Sequence, residues 1–83
     1  MIISEERGLL NIAENLRRIM SARRMTQTQL SVAAGVSQPF IHRILEGLSN
    51  PNAIALRNIA EVLGTTSDAL IENPAEEISK KTA

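Results

Sequence analysis

The chain contains no cysteine, tryptophan or tyrosine and a single phenylalanine, Phe40. Without thiols there is no disulfide, no cysteine-based zinc site and no thiol nucleophile. The absence of disulfides fits a reducing, cytoplasmic compartment. A core with almost no aromatic rings must be built from Leu, Ile, Val, Ala and Met. Net charge is also lacking, since nine basic residues balance nine acidic ones. No run approaches the roughly 18 apolar residues of a membrane span. The first residues, MIISEERGLL, have no basic segment leading into an apolar stretch, so no signal peptide and no membrane partner are expected. There is no glycine-rich phosphate loop, nucleophile elbow or HExxH pair. The lone histidine, His42, reads as a surface residue. The carboxylates show no pairing suited to acid–base work. No catalytic residue, metal or cofactor is implied, and the chain reads as a non-enzyme.

At 83 residues the chain supports one domain. A domain of this size buries roughly 60% of the surface its unfolded chain exposes. The balanced charge is unevenly placed. From Leu9 to Gly47 there are Arg17, Arg18, Arg23, Arg24 and Arg43 against only Glu14 and Glu46. From Asn52 onward, Arg57, Lys80 and Lys81 face Glu61, Asp68, Glu72, Glu76 and Glu77. A modestly positive first half precedes an acidic second half.

Strand signals are scarce and helix signals recur, which makes the fold class all-α. Leu9, Ile12, Ala13, Leu16, Ile19 and Met20 form an apolar stripe that predicts a first helix from Leu9 to Arg23. Thr26 is an N-cap for a second helix over Gln27–Ala34, with Gln29 placed to complete a capping box. Gly35 ends it in a left-handed conformation. Ser37 caps a third helix with Pro39 in its first turn, and Gly47 stops it. Asn52 caps a fourth over Ala53–Leu63, ended by Gly64; Thr66 or Ser67 starts a short fifth helix carrying Leu70 and Ile71. The expected organisation is an N-terminal extension over 1–8, a folded domain over 9–72 and a flexible tail over 73–83.

The central stretch, Gln27 to Gly47, is a helix, a glycine turn and a helix. Two helices crossing steeply need a small residue where they approach, a glycine at the turn and apolar residues that lock the second helix. Ser31, Gly35, Val36 and Ile41 fill those places. The N-terminal end of the third helix then projects, and such an end fits a DNA major groove about 12 Å wide.

Met25-Thr26-Gln27, Leu30, Ala34-Gly35-Val36-Ser37, Ile41, Arg43-Ile44, Gly47, Asn50-Pro51, Ile59-Ala60 and Leu63-Gly64 carry a resemblance. From Ile12 to Ile71 the sequence resembles the Cro/CI-type (XRE-like) helix-turn-helix regulators of phages and bacteria. The resemblance implies a compact five-helix, lambda-repressor-like fold with the helix-turn-helix at 27–46. It implies a transcriptional regulator, most simply a repressor, that binds a double-stranded DNA operator as a homodimer. Gln27 then matches a phosphate-contacting glutamine and Gln38 a base-reading residue. Pro39, Phe40 and Arg43 match further recognition positions, and Asn50 a loop residue near phosphate. Ser37, at the helix start, joins Gln27 and Asn50 as a positioning residue. Side-chain chemistry agrees: Gln suits adenine, Arg suits guanine or phosphate, and Pro or Phe packs on a thymine methyl.

Several expectations follow. Phe40 is expected to be exposed, since Ile41 supplies the core position. Arg17 or Arg18 is a candidate phosphate contact, weighed against ordinary solvated charge. Many relatives pair an Arg late in helix one with a Glu late in the recognition helix; Met20 and Leu45 stand there, and the two are expected to touch. Leu48-Ser49 lacks the basic residues common at that place, so salt dependence should be shallow. Leu70 and Ile71 are the expected dimer contacts. The alternative is a helical interaction module whose partner is a protein such as a toxin, consistent with zero net charge.

Overall fold

The computed structural model describes residues 5–74. Among these the chain forms α1 (Glu5–Ala22), α2 (Gln27–Ala34), α3 (Gln38–Leu45), α4 (Ala53–Leu63) and α5 (Ser67–Ile71), with no strand. Most of the tail expected over 73–83 lies outside the described residues. Helix α1 starts at Glu5, one turn before the expected Leu9. Glu5 and Glu6 place negative charge in its first turn, where the helix dipole favours it, and this outweighs the helix-weakening Gly8.

The helix starts are set by local side chains. Thr26 Oγ1 accepts from Gln29 N at 3.1 Å and Gln29 Oε1 accepts from Thr26 N at 2.9 Å, completing the capping box. Ser37 Oγ accepts from Phe40 N, Asn52 Oδ1 from Ala55 N and Thr66 Oγ1 from Ala69 N. Each bond satisfies one N–H that a helix start leaves without an internal partner.

The first four helices share one ending. A left-handed residue follows each: Arg24 (φ 53°), Gly35 (71°), Gly47 (72°) and Gly64 (71°). The next N–H then reaches back to a carbonyl of the last turn: Met25 to Met20, Val36 to Ser31, Leu48 to Arg43 and Thr65 to Ala60, at 2.9–3.0 Å. Three of the four carry the glycine that this backbone favours. Arg24 adopts it with a side chain attached.

One apolar cluster holds the helices. Ile12, Leu16 and Met20 of α1 meet Leu30 and Ala34 of α2, Ile41, Ile44 and Leu45 of α3, Leu56, Ile59 and Leu63 of α4, and Leu70 of α5. Met20 and Leu45, where the resemblance places an ion pair, are both buried in this cluster. Helix α1 packs on α3 and α5, while α2 packs on α3 and α4.

Two asparagines on α1 fasten α5. Asn15, fully buried, donates from Nδ2 to the carbonyls of Leu70 and Glu72, both at 2.8 Å, and to Ala69 at 3.3 Å. Asn11 Nδ2 donates to the Ile71 carbonyl at 3.0 Å. A helix of five residues has few internal bonds, so these amides supply the partners its last carbonyls need.

Leu70 departs from its expected role. It is 0% exposed and closes the core between α1, α4 and α5, so it is unable to meet a second copy without unfolding its own. Ile71, half-buried, remains at the surface beside a groove of about 360 Å³ that Leu9, Ile12, Pro51 and Leu56 also line.

Candidate nucleic-acid interface

The site is the pair α2–α3 with its turn. Ser31, buried where the helices approach, turns its hydroxyl back to the Thr28 carbonyl at 2.9 Å, so no polar group is stranded. Gly35 supplies the left-handed turn, Val36 packs on the core and Ile41 is fully buried beneath α3. These contacts fix α3 against α2 and bring the first residue of each helix together. Gln38 Nε2 donates to Gln27 Oε1 at 2.8 Å.

That bond orients two amides at once. Gln38 retains one N–H and its carbonyl oxygen, the donor–acceptor pair that matches adenine N7 and N6. Gln27 retains both amide hydrogens, which suit an anionic oxygen. Both residues lie in the first turn of a helix, where the positive dipole end favours phosphate.

Around this pair, Ser37, Pro39 and Arg43 are exposed. The Ser37 oxygen caps α3, and its hydroxyl hydrogen remains available as a donor. Phe40 corrects the expectation of exposure. It is half-buried and packs against the core cluster, because the first turn of α3 rests on apolar neighbours as well as facing outward. Asn50 is exposed in the α3–α4 loop, where it borders the groove beside Ile71. His42 is exposed and stands 3.9 Å from Glu46, one helical turn on.

The arginines of α1 and of the turn that follows it divide by geometry. Arg17 donates from Nε and Nη2 to the Leu45 carbonyl, at 3.1 and 2.6 Å. Its guanidinium is thus placed on the end of α3, a role that the sequence spacing did not single out. Arg23 lies across Gly64; a β-carbon there would sit 2.9 Å from its Nη2. Its charge falls at the negative end of α4. Arg24 is exposed immediately before α2.

A compact five-helix domain presenting a second helix across a glycine turn defines the class of helix-turn-helix DNA-binding regulators. A family model described as a helix-turn-helix domain matches residues 11–73. The chain belongs to that helix-turn-helix domain family. Among solved structures it is similar to a crystal structure titled as a hypothetical transcription factor, NHTF, from Neisseria. That likeness has a TM-score of 0.88 at 18% identity and covers 100% of this chain and 93% of the other. It establishes the shared fold. No curated protein matches the chain. Among the described residues, no helix is long and apolar enough to cross a membrane.

Proposed function

We propose that this protein is a sequence-specific repressor that binds a two-fold symmetric DNA operator as a homodimer in the cytoplasm. The observation that carries the reading is the Gln38–Gln27 hydrogen bond, which holds an exposed amide and a half-buried one together at adjacent helix starts. In this reading α3 enters the major groove by its N-terminal end. Gln38 reads adenine, Arg43 takes guanine or phosphate, and Pro39 with the exposed edge of Phe40 packs on a thymine methyl. Gln27, Ser37 and Asn50 position the domain on the backbone. Half-sites lie about 34 Å apart, one helical turn. The groove beside Ile71 and the surface of α5 supply the dimer contact. The input is the protein's own concentration.

The test is selection from a random duplex pool, followed by anisotropy on the selected site. Recovery of an inverted repeat supports the reading, and recovery of no preferred sequence refutes it.

A second reading has one observation in its favour. Leu10, Val32, Leu48 and Ile54 are large, apolar and more than half exposed, which suits a protein partner such as a toxin. Arg43→Glu separates the two, since it abolishes operator binding and leaves a distant protein contact intact.

A further inference from the structure

A recognition helix reads bases only as well as its own pose is fixed, and the far end of α3 is fixed by a residue outside the helix-turn-helix. The last turn of α3 closes on itself through three bonds: Glu46 N to His42 O, Gly47 N to Ile44 O and Leu48 N to Arg43 O. None of these uses the Leu45 carbonyl. Arg17 of α1 takes it with a two-pronged donation from Nε and Nη2, at 3.1 and 2.6 Å. A cation at the negative end of a helix dipole makes a charge-assisted bond, stronger than a neutral one.

The position of this bond matters. Arg43 lies two residues before Leu45, in the same final turn, so movement of that turn displaces the Arg43 side chain. Gln38 starts the same helix and is held at its own end by Gln27. Helix α3 is thus secured at both ends by polar bonds, with Ile41 and Ile44 buried between them. The tether uses a main-chain acceptor, so it does not depend on the side chain at position 45. Met20 and Leu45 are both apolar, and the Arg17 bond to the Leu45 carbonyl is a polar link between α1 and α3 at that end.

We infer that Arg17 is a positioning residue for operator recognition: its guanidinium holds the C-terminal turn of α3 on α1, and operator affinity depends on it without its touching DNA. This inference rests on the DNA-binding reading. It separates Arg17 from a phosphate contact, the other role open to an exposed arginine.

The full chain is compared with Arg17→Met, Arg17→Gln and Arg17→Lys by two readouts. The first is amide hydrogen exchange at Gly47 and Leu48, with α2 as internal reference. The second is anisotropy on the selected operator and on a scrambled duplex across a salt series. The account predicts exchange about tenfold faster at Gly47 and Leu48 in Arg17→Met, with α2 unchanged. It predicts an operator affinity lower by about ten- to a hundredfold, partly restored in Arg17→Lys. The slope of affinity against salt stays the same, and discrimination at the base pairs read by α3 relaxes. A slope reduced by about one, with operator and scrambled duplex weakened equally, is the signature of a phosphate contact and overturns the inference. Unchanged exchange and unchanged affinity overturn it as well. If Arg17→Met does not fold, Arg17→Gln and Arg17→Lys carry the same comparison. A wild-type chain that prefers no duplex overturns the DNA reading and the operator part of this inference with it. Exchange at Gly47 and Leu48 then decides the tether by itself.

Discussion

Gln38 donates an amide hydrogen to Gln27 across 2.8 Å, joining the first residue of α3 to the first residue of α2. An amide free to rotate would present its two ends to a base in either order. One fixed by a neighbour presents a single donor–acceptor order. Gln27 therefore acts on specificity through Gln38 as well as on affinity through the backbone. Gln27→Ala should weaken operator binding by about ten- to a hundredfold and relax the preference at the Gln38 base pair. Gln27→Glu keeps an acceptor for Gln38 but repels phosphate. It should weaken all duplexes alike and retain the preference. Competition binding with single-base operator variants measures both, and a Gln27→Ala protein with unaltered preference contradicts the argument.

Asn15 is the polar residue whose loss the fold should feel most. Its buried amide serves three carbonyls at the end of α5. Asn15→Ala leaves those carbonyls without it, at about 1–3 kcal/mol. For a domain of this length, each kcal/mol lowers Tm by about 4–8 °C. Calorimetry that finds Asn15→Ala as stable as the parent would show that α5 is held by its apolar contacts alone.

Arg24 sits in backbone that glycine favours, at φ 53°. A left-handed conformation costs a non-glycine residue about 1–2 kcal/mol. Arg24→Gly should therefore raise stability, by up to about 1 kcal/mol once the greater freedom of the unfolded glycine is counted. Gly64→Ala runs the other way, because the position combines φ 71° with the overlying Arg23 guanidinium. Denaturant midpoints at constant slope check both signs, and a destabilised Arg24→Gly would contradict the backbone argument.

The dimer contact is tested at Ile71 rather than Leu70. Leu70→Ala empties a fully buried position and should cost about 2–5 kcal/mol whatever the oligomeric state. Ile71→Asp alters a half-buried surface residue. Sedimentation should show a folded monomer. A folded Ile71→Asp dimer would move the contact elsewhere.

Much of the fold was legible where its cause was local. Thr26, Gln29, Ser37 and Asn52 cap helices through partners three residues away, and the glycines at 35, 47 and 64 mark turns by their own backbone freedom. Partners distant in sequence were not legible. Asn11 and Asn15 look like ordinary polar positions on α1 until α5, 54 to 60 residues later, arrives with its carbonyls. Arg17 finds its acceptor 28 residues away, and that acceptor is main chain, which no residue type announces. Arg24 was hidden because a left-handed helix end is sought at glycine. Leu70 and Phe40 show the same limit for burial: apolar character says a residue wants cover, and only the packed helices say whether it finds it within the chain.

The most direct test of the central claim is fluorescence anisotropy on a duplex selected from a random pool by the protein itself, against a scrambled duplex of equal length across a salt series. The account predicts an inverted-repeat site bound about a thousandfold or more tighter than the scramble. Its salt dependence should be modest, because Leu48 and Ser49 add no basic contacts and Arg17 is engaged within the protein. Equal affinity for both duplexes, or no binding to either at low salt, would contradict it.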